Sequence, residues 1–588
     1  MKQILVTQYL SNMDNLKDFC ERTSLHGWSF LPYRGFKPLQ TVFWLATIIA
    51  SIVGASIIIF GHYIEFQNAT VSYQIESPTV PLEEVFFPSI SLCNMNKLRK
   101  SFIYSLLADQ QIADLTSFDD LLEFVNGHFI RGSISELTES QKLLKNTILQ
   151  SKVYDEMYRD FVDASVNVDV ENITELYFEH SHSVMWLDQD DLYTDETKQG
   201  YFGELANQYS LKDMLISLKF KGFGINHDGG GFPTDISETC HWFTPLVQEP
   251  SDPSDLWTIE PSARNGLVNG LQLILDGEGF DYASSESGTE GFFLSMLHQL
   301  DIPIMRNTGI NIEVGQTNNI VVIPTLMSTT EGARSRFNPQ ERQCYFEDEI
   351  ALKHLPHENS FRHDISNCFF EATLQEIASQ CQCIPAYFSD VSELPLCQGQ
   401  QVSCMNDLKE RIGEFRVIVD NGTQKTCLSN CQDQRFSVSL TQASYPNSHS
   451  FVHTKEYRLI HNKLLWSCRG DRNATLHRAY PTLCATLLDK AENQKKIEKE
   501  VVRYTKENIA KVNIFLKDPF VQKIVREEKI SQIAFVGTVG GLLGLFLGFS
   551  FISSLEILYM IFMWMITSKK NDKAKATNTI TPVFSIRK

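Results

Sequence analysis

Two long apolar stretches dominate the pattern of hydrophobic and polar positions along this 588-residue chain. No charged residue occurs in residues 38–64 or 530–555, and after one carboxylate the apolar run resumes over residues 557–566. Each stretch is long enough to cross a bilayer core of about 30 Å as a helix. A buried core helix is the alternative, but the two stretches bracket the whole cysteine-rich region. The pattern therefore predicts membrane spans at 38–62 and 530–566.

Shorter patterns between the two spans predict a mixture of strands and helices. Apolar residues recur two positions apart in 271–275 and 310–314, which is typical of strands. Apolar residues at helical spacing predict helices within 97–130 and over 365–378. The run of carboxylates in 188–196 is typical of a solvated face. The expected fold class is an α+β membrane protein in which two transmembrane helices flank a large domain.

Basic residues next to the spans predict the orientation of the chain. Arg34 and Lys37 precede the first span, and four lysines follow the second. Because basic clusters stay in the cytoplasm, we expect both termini inside a multi-pass plasma-membrane protein. Residues 1–37 would form a cytoplasmic arm, residues 567–588 a cytoplasmic tail, and residues 63–529 an extracellular domain. The first span begins too late in the chain to be a signal peptide.

Cysteines and glycosylation sequons support the same orientation. Of the 13 cysteines, only Cys20 lies outside the predicted extracellular region. The other twelve are Cys93, Cys240, Cys344, Cys368, Cys381, Cys383, Cys397, Cys404, Cys427, Cys431, Cys468 and Cys484. The sequons lie at Asn68, Asn172, Asn421 and Asn473. An even number of cysteines outside the cytoplasm predicts disulfides, and the sequons predict surface glycans.

Composition and motifs narrow the class of function. The net charge of −19 disfavours a nucleic-acid partner and suits a surface that concentrates cations. The spacing of Cys381 and Cys383 does not suit a zinc pair, so no metal or other cofactor is expected. The sequence contains no phosphate loop, zinc-protease motif or nucleophile elbow, so an enzyme is not expected. A two-span ecto-enzyme and a two-span receptor without a pore remain as alternatives from other classes.

Glycines in the second span indicate a packed pore helix. Gly540, Gly544 and Gly548 recur every four residues and therefore share one helix face, where small residues let helices approach closely. A simple dimerisation stripe is the alternative. Phe549 and Ser550 follow, and an extended Gly548–Ser550 segment would turn carbonyls and the Ser550 hydroxyl towards a water-filled axis. We expect Gly544, Gly548, Phe549 and Ser550 to form the pore and selectivity filter.

Glu556 lies within the same span and adds a charge to the predicted pore. A carboxylate within the membrane is costly and by default faces a water-filled path. A ring of such carboxylates would attract cations. The alternative is an ordinary carboxylate at the membrane interface.

Several motifs occur in an order that resembles the degenerin/epithelial sodium channel family over nearly the whole chain. They are the strand 87–96 that ends in Cys-Asn-Met-Asn, Cys240 with its following aromatic residues, the strand 265–275, the Cys-x-x-x-Cys segment 427–431, and the glycine run 540–550 followed by a carboxylate. Within the family, the chain most resembles the invertebrate FMRFamide-gated sodium channels in its finger length, pore sequence and thumb cysteine count.

The resemblance implies a homotrimer that conducts sodium ions, is blocked by amiloride-type compounds and contacts membrane lipid. It implies a hand-like domain with a finger at about 97–240, a β-ball and palm at about 240–343, a thumb at about 344–431, and a knuckle with further palm at about 432–529. His26 and Gly27, which alone would indicate only a turn, resemble the family's gating motif. Gly537, Thr538, Gly540 and Gly541 correspond to the outer pore mouth.

The resemblance also implies a set of disulfide bridges. The pairs are Cys93–Cys240, Cys344–Cys431, Cys368–Cys427, Cys381–Cys404 and Cys383–Cys397, with Cys468–Cys484 remaining as an additional pair. Ala372 and Lys425 stand where many members carry two further thumb cysteines. Thr538 and Tyr559 replace acidic residues near the pore, and Thr244 replaces a common asparagine. Because of the replacements at Thr538 and Tyr559, the family's cation block and divalent behaviour do not transfer simply to this chain.

Three modes of opening compete within the family. Residues 97–240 contain no Arg-x-x-Arg cleavage site, which disfavours a constitutively open, protease-activated subunit. The carboxylates of 347–349 keep proton gating open. An amidated, cationic FMRFamide-like neuropeptide would need aromatic walls and a carboxylate. Candidates for these roles are Phe102, Asp109, Phe129, Trp186 and Asp188, each of which could equally be an ordinary core or surface residue. We expect peptide gating.

Overall fold

The computed structural model describes residues 17, 19–31, 38–134, 136–166, 195–207, 214–220, 223–224, 232–235, 238–243, 264–285, 288–298, 301, 309–350, 352, 363–385, 394–420, 422–447, 449–469, 474–489 and 493–577. All structural statements concern these residues. Trp186, Asp188, Asn172, Asn421 and Asn473 lie outside them.

The helices and the strands are each numbered in chain order. The helices are α1 (Pro38–Asn68), α2 (Lys100–Leu106), α3 (Gln110–Ala113), α4 (Phe118–Phe124), α5 (Glu139–Gln150), α6 (Lys152–Val166), α7 (Asp195–Gly200), α8 (Phe202–Asn207), α9 (Glu331–Arg336), α10 (Pro339–Arg342), α11 (Ile365–Cys381), α12 (Gln400–Glu410), α13 (Lys455–Arg469), α14 (Ala474–Ala479), α15 (Pro481–Leu488), α16 (Gln494–Asn508), α17 (Gln532–Leu547) and α18 (Phe551–Thr577). The strands are β1 (Val71–Pro81), β2 (Ser89–Asn94), β3 (Asn96–Arg99), β4 (Leu215–Phe220), β5 (Phe223–Gly224), β6 (Phe232–Asp235), β7 (Glu238–Phe243), β8 (Leu271–Asp276), β9 (Tyr282–Ser285), β10 (Phe292–Leu297), β11 (Ile310–Ile312), β12 (Gln316–Thr329), β13 (Cys344–Tyr345), β14 (Val417–Asp420), β15 (Thr423–Thr426), β16 (Ser429–Asn430), β17 (Asp433–Ser444), β18 (Ile509–Leu516) and β19 (Phe520–Glu528).

The chain divides into two compact units. The apolar-helix unit comprises residues 1–72, 330–337 and 527–588. The disulfide-rich unit comprises residues 73–329 and 338–526. The division follows the sequence pattern, because both long apolar stretches fall in the first unit and twelve of the cysteines fall in the second.

Among the described residues of the apolar-helix unit, only α1 is a single helix long and apolar enough to cross a membrane. It continues past residue 62, where the predicted span ends, to Asn68. The second apolar stretch is not one helix, because α17 and α18 meet at a bend of 70° and only together have the composition of a span. Many large apolar side chains of these helices are exposed, as expected for surfaces that contact lipid or other helices.

A large sheet forms the centre of the disulfide-rich unit. Within the described residues it has eight strands in the order β1-β19-β12-β18-β8-β4-β5, and β17 also pairs with β12. The long strand β12 carries antiparallel β17 along its length and is parallel to β18 and then β19. The strand predicted at 271–275 is confirmed as β8.

A five-stranded sheet in the order β11-β10-β2-β7-β6 packs with the large sheet around one apolar core. Every residue of β2 is buried, and β2 is the strand of the 87–96 motif. Core residues include Leu92, Leu273, Leu294 and Val512. Because both sheets present alternate apolar side chains to the same interior, their register is fixed by burial.

The helices that follow β3 form a second apolar core. Side-chain caps mark where several of them begin. Thr138 caps α5 in a capping box with Gln141, and Ser117 caps α4. After α4 the chain forms a π-helical turn at Val125–Ile130, and buried apolar residues of α2 to α6 and of α8 pack around it. Capping supplies acceptors to the first N–H groups of each helix, which otherwise have no partner.

Disulfides cross-link the segment around α11 and α12, and one further disulfide joins α13 to α15. The structure contains the bridges Cys344–Cys431, Cys368–Cys427, Cys381–Cys404, Cys383–Cys397 and Cys468–Cys484, which are five of the six that were expected. Cys93 is disulfide-bonded, and its register partner on the neighbouring strand is Cys240. Cys20 is free and buried.

Candidate functional site

A break in the second apolar stretch forms the first part of the candidate site. Helix α17 ends at Leu547, and Gly548 adopts a left-handed conformation with φ 66°. The Gly548 N–H donates to the Gly544 carbonyl at 2.9 Å, and the Phe549 N–H donates to the Leu543 carbonyl at 3.2 Å. Glycine suits this position because a side chain would destabilise the left-handed backbone. The break lies at the Gly548–Ser550 segment singled out in the sequence.

Two serines restart the helix on the other side of the break. The Ser553 N–H donates to the Ser550 hydroxyl at 3.3 Å, and the Ser550 N–H donates to the Ser553 hydroxyl at 3.2 Å. This reciprocal pair acts as a capping box at the start of α18. Ser553 is fully buried, and its hydroxyl also donates to the Gly548 carbonyl at 3.4 Å. Side-chain hydroxyls therefore satisfy the backbone groups that the break releases.

The N-terminal arm contacts the same break. The His26 N–H donates to the Leu547 carbonyl at 2.9 Å, so the arm satisfies one of the last carbonyls of α17. A Cβ atom on Gly548 would lie 2.5 Å from the His26 ring. Glycine is therefore needed at 548 for close approach as well as for its backbone conformation. The structure brings together two residues from opposite ends of the chain that were predicted as separate motifs.

Glu556 anchors the arm through its carboxylate. One carboxylate oxygen accepts from the Ser24 N–H at 3.2 Å, from the Ser24 hydroxyl at 3.3 Å and from the Thr23 hydroxyl at 3.3 Å. The Ser24 hydroxyl also lies 2.7 Å from the Ser553 hydroxyl. In the single chain, this half-buried carboxylate therefore holds the arm as well as supplying negative charge beside the break.

Aromatic contacts hold the arm against α1. Gly27 has φ 81° and precedes a short 3-10 helix at Trp28–Phe30. The Phe30 ring stacks on Trp44 of α1 with ring centroids 4.4 Å apart. A Cβ atom on Gly27 would lie 3.2 Å from Ile48, which is itself buried. Both residues of the His26-Gly27 pair thus have their own close contact, one with the break and one with α1.

The glycines of the predicted outer pore mouth lie on an open face of α17. A Cβ atom on Gly537, Gly540 or Gly541 would meet no described atom within 4 Å. The Thr538 hydroxyl donates to the Ala534 carbonyl at 2.9 Å, which is a bond within the helix. Small residues on an exposed helix face are suited to close contact with another helix.

The predicted peptide-binding residues do not all lie together. Phe102 and Phe129 are buried and both contact the Phe202 ring, at centroid distances of 5.5 Å and 3.9 Å. They are part of the helical core, which was their alternative interpretation. The Asp109 carboxylate accepts from the Gln111 N–H at 2.9 Å and caps α3. Asp109 is half-buried, and its carboxylate is partly accessible to a cation.

Sequence reasoning missed the polar residues that connect the arm to the second apolar stretch. Thr23, Ser24 and Ser553 were not singled out, although the Ser-x-x-Ser spacing of 550 and 553 is the pattern of a helix cap. Arg336 was also missed, because its partners are far away in the sequence. Among the described residues, no group of three or more His, Cys, Asp or Glu side chains could hold a metal ion.

The structure has long apolar helices, one of them broken, and a disulfide-rich domain of sheets. These features define a membrane protein of the class that the sequence predicted. The profile of the family described as amiloride-sensitive sodium channel matches residues 19–560. The chain belongs to the amiloride-sensitive sodium channel family.

Individual relatives are distant. The chain is 22% identical to pickpocket protein 28 of Drosophila melanogaster over 51% of this chain and 42% of that protein. It is 21% identical to human acid-sensing ion channel 2 over 60% of this chain and 57% of that protein. The chain thus spans about half the length of these curated relatives. It is 20% identical to the epithelial sodium channel subunit alpha of Xenopus laevis over 96% of this chain and 84% of that protein.

Proposed function

We propose that this chain is a subunit of a homotrimeric, sodium-selective cation channel that is opened by an extracellular FMRFamide-like neuropeptide. The main support for channel function is the broken second span. The Gly548–Ser550 segment separates α17 from α18, and the N-terminal arm binds to this break. Irregular backbone at membrane depth is tolerated where it lines protein or a water-filled path. Three such breaks around an axis would present carbonyl and hydroxyl oxygens to a cation.

The orientation and the blocker follow from the same proposal. Both termini lie in the cytoplasm of a plasma-membrane protein, the disulfide-rich unit is extracellular, and Asn68 with the other sequons carries glycans. Disulfides and glycans belong in an oxidising compartment, which supports this placement. Amiloride-type cations would block near Gly537, Thr538, Gly540 and Gly541, whose face of α17 is open in the single chain. Sodium is the permeant ion.

Peptide gating is supported by the absence of an Arg-x-x-Arg site in residues 97–240 and by the resemblance to FMRFamide-gated channels. Asp109 is our candidate for contact with a cationic peptide, since its half-buried carboxylate lies at the start of α3. Phe102 and Phe129 would serve only if the helical core opened around Phe202.

Proton gating is the second candidate, and the similarity to acid-sensing ion channel 2 favours it. Of the carboxylates at 347–349, Glu349 is already paired with Arg342. A constitutively open channel of the same family is the third possibility. The three modes differ in what opens the channel, so a single expression experiment separates them.

The test is two-electrode voltage clamp on oocytes that express this chain alone. FMRFamide is applied at neutral pH, and acid is then applied without peptide. An inward, amiloride-sensitive current with FMRFamide that disappears when a large organic cation replaces sodium supports the proposal. Current with acid alone rejects peptide gating in favour of proton gating. A standing current without either stimulus indicates a constitutive channel, and silence of surface-exposed protein rejects a homomeric peptide-gated channel.

The variant Asp109→Asn tests the peptide site without removing the helix cap, because asparagine caps a helix about as well as aspartate. If this carboxylate meets the cationic peptide, the half-activating FMRFamide concentration should rise on the order of tenfold, as expected when a charge-assisted bond is lost. Asp119→Asn is the matched control, since it removes an exposed carboxylate from the next helix. Equal potency of both variants would exclude Asp109 from the site.

A further inference from the structure

Arg336 lies on α9, in the middle of the chain, yet its side chain contacts the ends of both apolar segments. Its guanidinium donates to the carbonyl of Phe66 in the last turn of α1. It also donates to the carbonyl of Ile530, two residues before α17, at 2.5 Å. The guanidinium carbon lies 3.7 Å from the centre of the Phe66 ring. One side chain therefore joins residues that are 464 positions apart in the sequence, as their numbers show.

The chemistry of these contacts requires an arginine. The last carbonyls of a helix have no partner within the helix, and a cation is favourable at this end of its dipole. A planar guanidinium can donate to two carbonyls while its face stacks on an aromatic ring, whereas a lysine ammonium is a point donor. The Arg336 side chain is 11% exposed and has the Glu528 carboxylate at 3.9 Å to balance its charge.

Neighbouring residues fix the guanidinium in this position. The Thr330 hydroxyl caps α9 by accepting from the Ala333 N–H at 3.3 Å. The ring of Phe337 lies 4.9 Å from the guanidinium carbon. The Phe66 ring in turn stacks on Phe535 of α17 with centroids 4.4 Å apart. A continuous stack thus connects α9, α1 and α17.

We propose that Arg336 is a positioning residue that clasps the C-terminal end of α1 to the N-terminal end of α17. The clasp lies at the opposite end of α17 from the break, since α17 begins at Gln532 and ends at Leu547. With the two helix ends held together, rearrangement of the second apolar segment is confined to the Gly548–Ser550 break. This consequence for channel opening rests on the proposed channel function, whereas the clasp itself does not.

The clasp is tested by disulfide cross-linking of the full chain in membranes. The Lys529 N–H donates to the Thr70 carbonyl at 3.2 Å, so the two residues are neighbours at the clasped ends. A T70C/K529C chain is oxidised with copper phenanthroline, and the linked peptide is quantified by mass spectrometry. Adding Arg336→Lys or Arg336→Gln should slow cross-linking on the order of tenfold, because bonds from a charged donor are lost.

Arg334→Lys is the matched control, because Arg334 lies on the same helix with its side chain 37% exposed, near Glu331. It should leave the cross-linking rate unchanged. If the Arg336→Gln chain fails to reach the surface, the Arg336→Lys chain, which keeps the charge, decides the test. Equal rates with arginine, lysine and glutamine at 336 would overturn the proposal.

A second measurement separates the clasp from the proposed function. The same Arg336 and Arg334 variants, without the introduced cysteines, are expressed for voltage clamp, and maximal current is divided by the amount of surface protein. We expect this ratio to fall for Arg336→Lys and to stay unchanged for Arg334→Lys. A silent wild-type channel would reject the proposed function, while the cross-linking rates would still decide the clasp. Slower cross-linking with an unchanged ratio would show that the clasp has no role in opening.

Discussion

Different kinds of contact stabilise the interior of each of the two units. The disulfide-rich unit contains five resolved bridges and a buried network of charges around Asp276. The apolar-helix unit contains one cysteine, which is free, and its arm and broken helix are joined by single hydrogen bonds and close glycine contacts. Covalent and buried ionic contacts fix one shape, whereas contacts of about 1 kcal/mol each can exchange.

This difference suggests a division of roles. Under the proposed function, the disulfide-rich unit keeps its shape outside the cell and gains from cross-links, which act mainly by restricting the unfolded chain. Under the same proposal, the apolar-helix unit changes between closed and open states, which requires two arrangements of similar free energy, and weak contacts at the break allow this. The predictions below compare the two units in order of decreasing effect.

The largest effect is expected from the bridge that closes the longest loop among the five bridges resolved in the described residues. Removing it with a C344A/C431A double variant opens a loop of 87 residues that the Cys368–Cys427 bridge already shortens, so stability should fall by about 3.5 kcal/mol. Removing the bridge that closes a 16-residue loop with C468A/C484A should lower stability by about 3 kcal/mol. Thermal unfolding of the detergent-solubilised protein measures both. Equal melting temperatures of the two variants would contradict the ranking.

The next effect concerns the buried charge of Asp276. Its carboxylate accepts from Lys463 Nζ at 2.8 Å and from the Tyr504 hydroxyl at 3.0 Å, and the residue is 1% exposed. Burial, together with the adjacent Asp276 charge, raises the pKa of Tyr504 well above its usual value, so the phenol remains a neutral donor. Lys463→Met would leave the carboxylates of Asp276 and Glu278 without this cation. We expect a loss of about 3 kcal/mol.

The matched control for Lys463 is a more exposed ion pair in the same unit. Lys511 Nζ lies 2.7 Å from the Glu456 carboxylate, and both side chains are about a quarter exposed, at 25% and 23%. Lys511→Met should therefore cost about 1 kcal/mol or less. The same thermal unfolding measurement applies. A loss from Lys511→Met as large as that from Lys463→Met would show that burial of Asp276 does not set the cost.

In the apolar-helix unit, the largest effect is expected at Gly548. Gly548→Ala places a side chain on a left-handed backbone, which costs about 1 to 2 kcal/mol, and brings its Cβ within 2.5 Å of the His26 ring. We expect maximal current per surface channel to fall on the order of tenfold, the factor that corresponds to about 1.4 kcal/mol. Voltage clamp with surface labelling measures this ratio.

The double variant His26→Ala/Gly548→Ala separates the two causes. It removes the ring that the new Cβ would meet but keeps the backbone strain, so current should recover in part. Gly537→Ala is the control, because a Cβ at that position meets no described atom within 4 Å. If Gly548→Ala and Gly537→Ala conduct equally, neither the backbone strain nor the contact with His26 matters for conduction.

Much of the fold was predictable because its determinants are local. The pattern of apolar residues within a single segment sets the long helix α1, the strand β8 and the helix that begins at Ile365. The break at Gly548 was also foreseeable, because glycine is the residue that ends helices in a left-handed conformation. Four of the five resolved bridges are pairings implied by the family resemblance, and Cys468–Cys484 was the pair that remained. No rule of spacing would have selected these pairings among the many possible ones.

The connections between distant parts of the chain were not predictable. Ser24 meets Glu556 only because the arm folds back onto the second apolar stretch, and neither residue carries a local sign of the other. Nothing in the sequence distinguishes Arg336 from the other arginines. Its contacts with Phe66 and Ile530 form only because α9 places it beside them. Phe102 and Phe129 illustrate the converse, because an aromatic residue at helical spacing looks the same whether it lines a pocket or a core.

The smallest effect is expected from the bond between the arm and Glu556. Ser24→Ala removes a hydroxyl donor to the carboxylate, and Glu556→Gln removes the charge while keeping an acceptor oxygen. Each single change should shift the half-activating agonist concentration by a few-fold, which corresponds to about 1 kcal/mol. If the arm acts through this bond, the double variant should shift the concentration by less than the sum of the two single shifts, because both changes weaken one shared interaction.

Ser29→Ala is the control for this cycle, because Ser29 is an exposed serine in the same arm. Its effect should add independently to that of Glu556→Gln. Additive behaviour of Ser24 and Glu556 would mean that the bond is incidental and that Glu556 acts only through its charge beside the break. Non-additive behaviour would show instead that a contact of about 1 kcal/mol, far weaker than any bridge of the disulfide-rich unit, biases the balance between channel states.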